Sequence, residues 1–341
     1  MTVYSLDVEK YHTYIADGIC TCNCIFSFSG ASARNMLEPE IPQDKKIYLE
    51  QSYRIPIAVH KLATKIIERV EFRDPTPYKP RDVEGSVTYG HGDFKNPEWM
   101  INETLKLPGT SMIIVTCNYM LEDITKMLRD RGIPFSNPWR KEDKSWNPLN
   151  TNGAQILLDF LSTGEDENYW NTAQFISWAN NLRVGKDGLI YKRGKAGIAE
   201  LQKILEEKPD TPGLHTCRDY IAEILSSDAL EQCMARDAAW LKQNVTKKTV
   251  RSIDFPSRIL LKRGKEALAA DPKLFVGTCH SFKGTESDNV FLYPDISFAS
   301  MREMESQEGY DDLCRLFYVG VTRAKENLIL MPQASTNYFE I

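Results

Sequence analysis

The chain has no apolar run near the ~20 residues needed to cross a bilayer. No signal-peptide pattern follows Met1 either, because Val3–Ile19 alternates and carries charge. A membrane-spanning or exported protein is therefore not expected, and no membrane partner is. A disulfide framework is also missing, and eight cysteines in 341 residues fit a reducing cytoplasm. There is no internal repeat and no long low-complexity segment, which argues against solenoids and arrays. Basic excess is lacking too. A net charge of −5 argues against a uniformly basic nucleic-acid binder, although a local patch can still hold phosphate. Finally, no G-x-x-x-x-G-K-[ST] occurs, and no Asp-Glu pair follows an apolar strand. The sequence shows neither a phosphate-cradling P-loop nor the acidic metal ligands that accompany one.

What is present suffices for two ordinary domains: 341 residues, 42% hydrophobic and 26% charged, describe a soluble globular chain. The most informative stretch runs from Phe275 to Met331. Leu274–Gly277 and Asn289–Tyr293 are short β-branched and aromatic runs flanking a polar turn. A helical segment and a third strand-like run, Asn327–Met331, follow. Strand–loop–strand–helix–strand at these lengths predicts part of an open α/β sheet whose strand ends carry binding groups. The loop Thr278–Asp288 crowds His280, Ser281, Lys283, Gly284 and Glu286 onto one strand end, more polar groups than a connector needs.

Thr278-x-His280-x-x-Lys283-Gly284-x-Glu286, followed by Val290-Phe291, is similar to motif V of the UvrD/Rep-type superfamily 1 DNA helicases. Arg315-Leu316-Phe317-Tyr318-Val319-Gly320-Val321-Thr322-Arg323-Ala324 resembles their motif VI almost letter for letter. The resemblance implies an α/β, RecA-like motor domain (domain 2A) built on a parallel sheet. It implies that Thr278, His280 and Ser281 touch the DNA backbone or a base, and that Glu286 accepts from the nucleotide ribose. Gly284 permits the turn, since it takes φ > 0 without a Cβ clash. Without motif VI beside them, His280 and Glu286 would pass as ordinary loop residues. Leu316, Val319, Gly320 and Arg323 recur at helical spacing, which aims Arg323 from the face that packs on the sheet.

Lys46–Leu49 reads as a short strand, and Glu50-Gln51-Ser52-Tyr53-Arg54-Ile55-Pro56 resembles motif IV of the same family. Pro56 suits the first turn of a helix predicted through Val70. The resemblance lays Tyr53 against the adenine ring and brings Arg54 to the γ-phosphate. A planar, permanently charged fork suits that task. An Arg before a helix is usually just solvated. Paired with Arg323, Arg54 becomes one of two candidate arginine fingers, each stabilising charge at the transferring phosphoryl group. Cys24-Ile25-Phe26-Ser27-Phe28-Ser29-Gly30-Ala31 resembles the second half of motif III. There Phe26 and Phe28 stand where the family stacks single-stranded bases, worth ~1–3 kcal/mol per base. Two core phenylalanines on one strand face are the plainer alternative. Ser29 departs from the Arg often found there.

The first two dozen residues do not belong with the rest. Val3–Val8 alternates like a strand, Asp17-Gly18 marks a tight turn and Ile19–Cys22 fits a second strand, so a β-hairpin is predicted. Cys20, Cys22 and Cys24 with His12 admit a metal reading, but C-x-C-x-C is not a usual zinc spacing. His12, Asp17-Gly18, Asn23 and Cys24 also resemble the C-terminal end of an intein. A thiol at Cys24 can accept an acyl group, and the Asn23 amide can then attack its own carbonyl and cut the chain. The family usually has His before that Asn. Here Cys22 stands there, which hands the proton donation to His12 or slows the cut. The intein-like sequence stands in place of the first half of motif III and ends where its second half begins, as an insertion at a motif would.

Between the motifs, Phe72–Leu107 is Pro-rich and predicted irregular around a strand at Gly85–Thr88. Met112–Thr116 reads as a buried strand, and Asn118 as the N-cap of a helix with Leu121, Ile124 and Leu128 on one face, ended by Gly132. Ile133-Pro134-Phe135 is expected to leave the motor domain as a strand. Asn137–Ala270 shows helix-like runs at Ala154–Leu161, Ala196–Glu207, Cys217–Leu225 and Ala229–Gln243, and resembles the inserted helical subdomain called 2B. Lys242–Lys265 holds eight Lys/Arg against only Asp254, a segment that fits duplex phosphates or, as well, a solvated helix face.

The expected organisation is therefore an intein segment over 1–23, the first part of domain 2A over 24–136, a 2B-like insertion over 137–270 and the rest of 2A over 271–341. The resemblance implies the C-terminal half of an ATP-dependent helicase with 3′→5′ polarity, acting on single-stranded and duplex DNA. ATP and Mg²⁺ would be its cofactors, with the Mg²⁺ ligands on an N-terminal half that carries the complementary intein fragment. No metal site is expected on this chain. Alone it should neither hydrolyse ATP nor unwind DNA. Two other classes stay open: a non-catalytic DNA- or protein-binding fragment, and a splicing element with vestigial cargo.

Overall fold

The computed structural model describes residues 13–16, 19–22, 51–71, 73, 78–140, 147–149, 152–162, 170–184, 194–207 and 218–341. The chain divides into two compact units, Met1–Thr125 with Leu274–Ile341, and Lys126–Lys273. Near the N-terminus β1 (Thr13–Ala16) pairs antiparallel with β2 (Ile19–Cys22), Ala16 facing Ile19 across Asp17-Gly18. The predicted strand Val3–Val8 and the side chains of this pair lie outside the described residues.

The first unit is built on five parallel strands: β3 (Ser86–Tyr89), β4 (Ser111–Val115), β5 (Leu274–Thr278), β6 (Ser287–Leu292) and β7 (Ala324–Leu330). Their order across the sheet is β3-β7-β6-β4-β5, an α/β arrangement consistent with a RecA-like fold. β4 reads Ser-Met-Ile-Ile-Val with every residue buried, as a parallel strand covered on both faces requires. The registers fix where the loops go. Val115 faces Thr278, whereas Ser111 faces Asn289. The segment 279–286 therefore leaves one end of the sheet and re-enters at the other, a climb of four strand residues or roughly 13 Å.

Helix α1 (Ile57–Ile67) buries Val59, Ala63 and Ile66. Its N-cap is Pro56, which has no side-chain donor or acceptor to offer. The free N–H groups of Ile57 and Ala58 instead donate to the Val83 and Glu84 carbonyls, at 2.9 Å each. Gly85 makes this approach possible: its φ is +65°, and a Cβ there would lie 2.5 Å from the Pro56 ring. Three differences from the predicted elements follow. Helix α2 (Glu98–Lys106) forms inside the stretch expected to be irregular, its start hidden in the sequence behind Pro97. Asn118 is not an N-cap; Asn118–Met120 makes a 3₁₀ turn into α3 (Leu121–Asp130) with no side-chain cap bond. Ile133–Phe135 is not a strand. Gly132 (φ +59°) turns the chain, and Ile133 N–H closes the helix end on the Leu128 carbonyl at 2.9 Å.

The second unit contains α4 (Asn152–Phe160), α5 (Thr172–Ala179), α6 (Gly194–Glu207), α7 (Arg218–Ile224), α8 (Ser227–Met234), α9 (Ala238–Asn244), α10 (Lys247–Arg263) and α11 (Lys265–Ala269). The run Ala229–Gln243, expected as one helix, is broken at Arg236, whose φ is +54°. Its guanidinium lies 3.9 Å over the Trp170 ring. Trp170, Trp178 and Phe160 are fully buried together, with the two indoles 4.8 Å apart. In the first unit, α12 (Phe298–Glu303) leads to α13 (Gln307–Val321), which lays Leu313, Leu316, Phe317 and Val321 against the sheet core of Met112, Ile114, Val290, Leu292 and Leu328. Among the described residues no helix is long and apolar enough to cross a membrane.

Candidate functional site

Helix α13 reaches the sheet through Gly320. A Cβ at that position would meet Leu292 Cδ1 at 3.1 Å and Cys279 Sγ at 3.3 Å. The close approach carries Arg323, just past the helix end, into the interior, where it is only 7% exposed. Its Nε donates to the Val319 carbonyl at 2.8 Å, Nη1 to the Thr285 carbonyl at 3.0 Å and Nη2 to Thr322 Oγ1 at 3.1 Å. Every acceptor is neutral. Burial first, and the nearby charge of Arg54 second, push the guanidinium pKa down to about 10.

Arg54 comes from far along the chain and is half-buried. Ser52 Oγ accepts from the N–H groups of Arg54 and Ile55 at 3.2 and 3.1 Å, a local turn that points the segment. Arg54 Nε is buried without a hydrogen-bond partner. Among the described residues no ion pair to a carboxylate is formed by either arginine, although the charge of Glu286 acts on Arg323 from nearby and partly offsets the downward shift. Tyr318 lies in the field of both: burial and Tyr78 raise its pKa, while Arg54 and Arg323 lower it. Tyr53, next to Arg54, is 86% exposed, its ring free for a partner.

The loop after β5 divides the other candidates between two rims. Thr278 and Ser281 are buried at the β5 end, and Ser281 Oγ donates to the Thr278 carbonyl at 2.8 Å. His280 beside them is half-buried, and burial lowers its pKa. Phe282 is fully buried and anchors the loop midway. Gly284 takes φ +84° and is exposed. Glu286, also exposed, lies 3.6 Å from Lys325. Gly284, Glu286, Arg323 and Arg54 thus share the rim at the N-terminal ends of β6 and β7, while Thr278, His280 and Ser281 sit at the C-terminal end of β5. Phe26, Phe28, His12, Asn23, Cys24 and the side chain of Cys22 lie outside the described residues.

Sequence reasoning assigned no part to Tyr318, although it stands inside the motif VI run, or to Lys325. Only the packing identifies them. In the basic stretch, most cations have intramolecular partners. Lys242 pairs with Asp254, Arg258 with Asp130 and Asp254, and Lys262, Arg263 and Lys265 donate to backbone carbonyls. Lys247, Lys248 and Arg251 are exposed on α10. Among the described residues no three His, Cys, Asp or Glu side chains gather as a metal-holding group.

Residues 273–331 match the UvrD-like helicase C-terminal domain family. The match spans β5, the crossing loop, β6, α12, α13 and β7, and supports a UvrD/Rep-type helicase C-terminal part. A helicase domain implies interaction with nucleic acid. Among curated proteins no relative matches the chain.

Proposed function

We propose that the chain is the C-terminal half of an ATP-dependent UvrD-like DNA helicase, with Arg54 and Arg323 as its arginine fingers. The observation that carries this is two neighbouring guanidinium groups without an ion pair to a carboxylate, one with a buried, unpartnered Nε. Like charges brought together in a partly dry place favour an anion, and a planar fork suits phosphate. Hydrolysis of a bound triphosphate supplies the driving free energy. Arg54 and Arg323 would stabilise the charge that grows on its terminal phosphoryl oxygens. Tyr53 would stack on the base, Gly284 would let the loop approach, and Glu286 would turn from Lys325 to accept from the ribose. The P-loop and Mg²⁺ ligands belong to a companion N-terminal half.

At the opposite rim Thr278, His280 and Ser281, with Phe26 and Phe28, would hold single-stranded DNA. In this reading 24–136 and 271–341 form domain 2A, and 137–270 a 2B-like insertion able to meet duplex. Residues 1–23 are an intein tail joining the two halves in the cytoplasm. His12 or Cys22 would supply the proton at the reacting Asn23-Cys24 bond. Incubation with an N-terminal half bearing the complementary intein fragment tests the whole. A ligated product with DNA-stimulated ATPase and 3′→5′ unwinding is expected. Ligation without ATPase would leave a splicing element, and neither would leave a non-catalytic binding fragment. Asn23→Ala should stop cleavage before Cys24; continued cleavage removes the intein reading.

A further inference from the structure

The segment that presents Tyr53 and Arg54 is held by a backbone rail rather than by a helix or strand of its own. Ser52 N–H donates to the Lys79 carbonyl at 2.9 Å, and Arg81 N–H to the Ile55 carbonyl at 2.8 Å. Gln51 Nε2 adds a bond to the Pro80 carbonyl at 2.8 Å. The rail is itself fastened on its other side: Arg81 Nη2 donates to the Lys325 carbonyl at 2.6 Å. Lys325 lies just past Arg323 on β7. One residue therefore ties the strand leaving Arg323 to the segment carrying Arg54. It does so while its own Nε stays buried without a partner, a cost a surface-filling side chain would avoid.

We infer that Arg81 is a positioning residue that sets the separation between Arg54 and Arg323, and so the grip of that pair on a polyphosphate. The inference rests on the phosphate-binding reading of the two arginines. None of the motif resemblances covers Arg81, and it touches no substrate. Its backbone fixes where the Arg54 segment runs, and its guanidinium fixes that segment against β7.

The test is calorimetric titration of the chain with inorganic tripolyphosphate, well below the thermal midpoint of each variant. Arg54→Ala should weaken binding about tenfold or more, as loss of a charge-assisted contact does. Arg81→Ala should weaken it about fivefold, and Arg81→Lys, which keeps a donor for the Lys325 carbonyl, by no more than about twofold. In an Arg54→Ala background, Arg81→Ala should cost nothing further, because it acts through the group already removed. Should Arg81→Ala fail to fold, Arg81→Gln takes its place. Wild-type affinity in the Arg81 variant, or an undiminished loss in the Arg54→Ala background, overturns the positioning role. Full affinity in Arg54→Ala sinks the phosphate reading itself, and absence of binding by the wild-type chain sinks both.

Discussion

Arg323 keeps its charge in a nearly closed place because three neutral oxygens replace the water it has lost. Hydrogen bonds to a charged group are worth ~1.5–3 kcal/mol each, enough to hold the side chain in one pose. In the joined enzyme, Arg323→Ala should lower kcat by about 10³–10⁵-fold, the range for loss of an arginine finger, while single-stranded DNA binding persists. Steady-state ATPase and a DNA titration check both halves of that statement. Asp288 gives a second prediction at this scale. Burial tends to raise its pKa, but bonds from Thr110 N–H at 2.7 Å and Thr110 Oγ1 at 2.9 Å, with Lys325 nearby, bring it below the ordinary value. A depressed folded pKa contributes stability above the unfolded pKa and loses it as pH falls through the folded one. Asp288→Asn should therefore be less stable than wild type at neutral pH. The gap should close below about pH 4, as urea midpoints across pH would show. Arg54 and Arg323 were singled out in the sequence because each sits in a run resembling a helicase motif. Arg81 was not, since a side chain bonded to a distant backbone carbonyl leaves no local signature.

At the scale of elements, close packing does most of the positioning. Gly320→Val would push two methyl groups toward Leu292 and Cys279 and should cost ~1–3 kcal/mol in urea unfolding. Gly85→Ala should be at least as damaging, by ~1–3 kcal/mol, because its φ is positive and its Cβ would strike the Pro56 ring and the Glu326 carbonyl. The strands β4 to β6 could be read from the sequence within a residue or two, since buried parallel strands give unbroken apolar runs; β7 starts three residues earlier than read, at Ala324, because Lys325 and Glu326 interrupt its apolar run. Helix α2 could not: it is short, starts at Pro97 and buries chiefly Met100 and Ile101. Helix α10 was read as a basic stretch fitting duplex phosphates or a solvated helix face, and its extent was hidden by Pro256 inside it. Asn118 had the right residue type for a cap, but a 3₁₀ turn took the position first.

For the whole molecule, the formal charge says little and the arrangement of charge says more. With Lys242, Arg258, Lys262, Arg263 and Lys265 engaged inside the second unit, contact with duplex phosphates would fall to Lys247, Lys248 and Arg251. Replacing those three with Ala should reduce the slope of log affinity against log salt by about 2–3 without changing sequence preference. An unchanged slope would return α10 to the role of a solvated face. The sequence reading put the change of domain between 136 and 137, whereas the second compact unit begins at Lys126, inside α3.

Phe282, sunk in the core between His280 and Gly284, pins the crossing loop midway between its two ends. Phe282→Ala should therefore unsettle the His280 end and the Gly284 end together, which amide hydrogen exchange on either side would show.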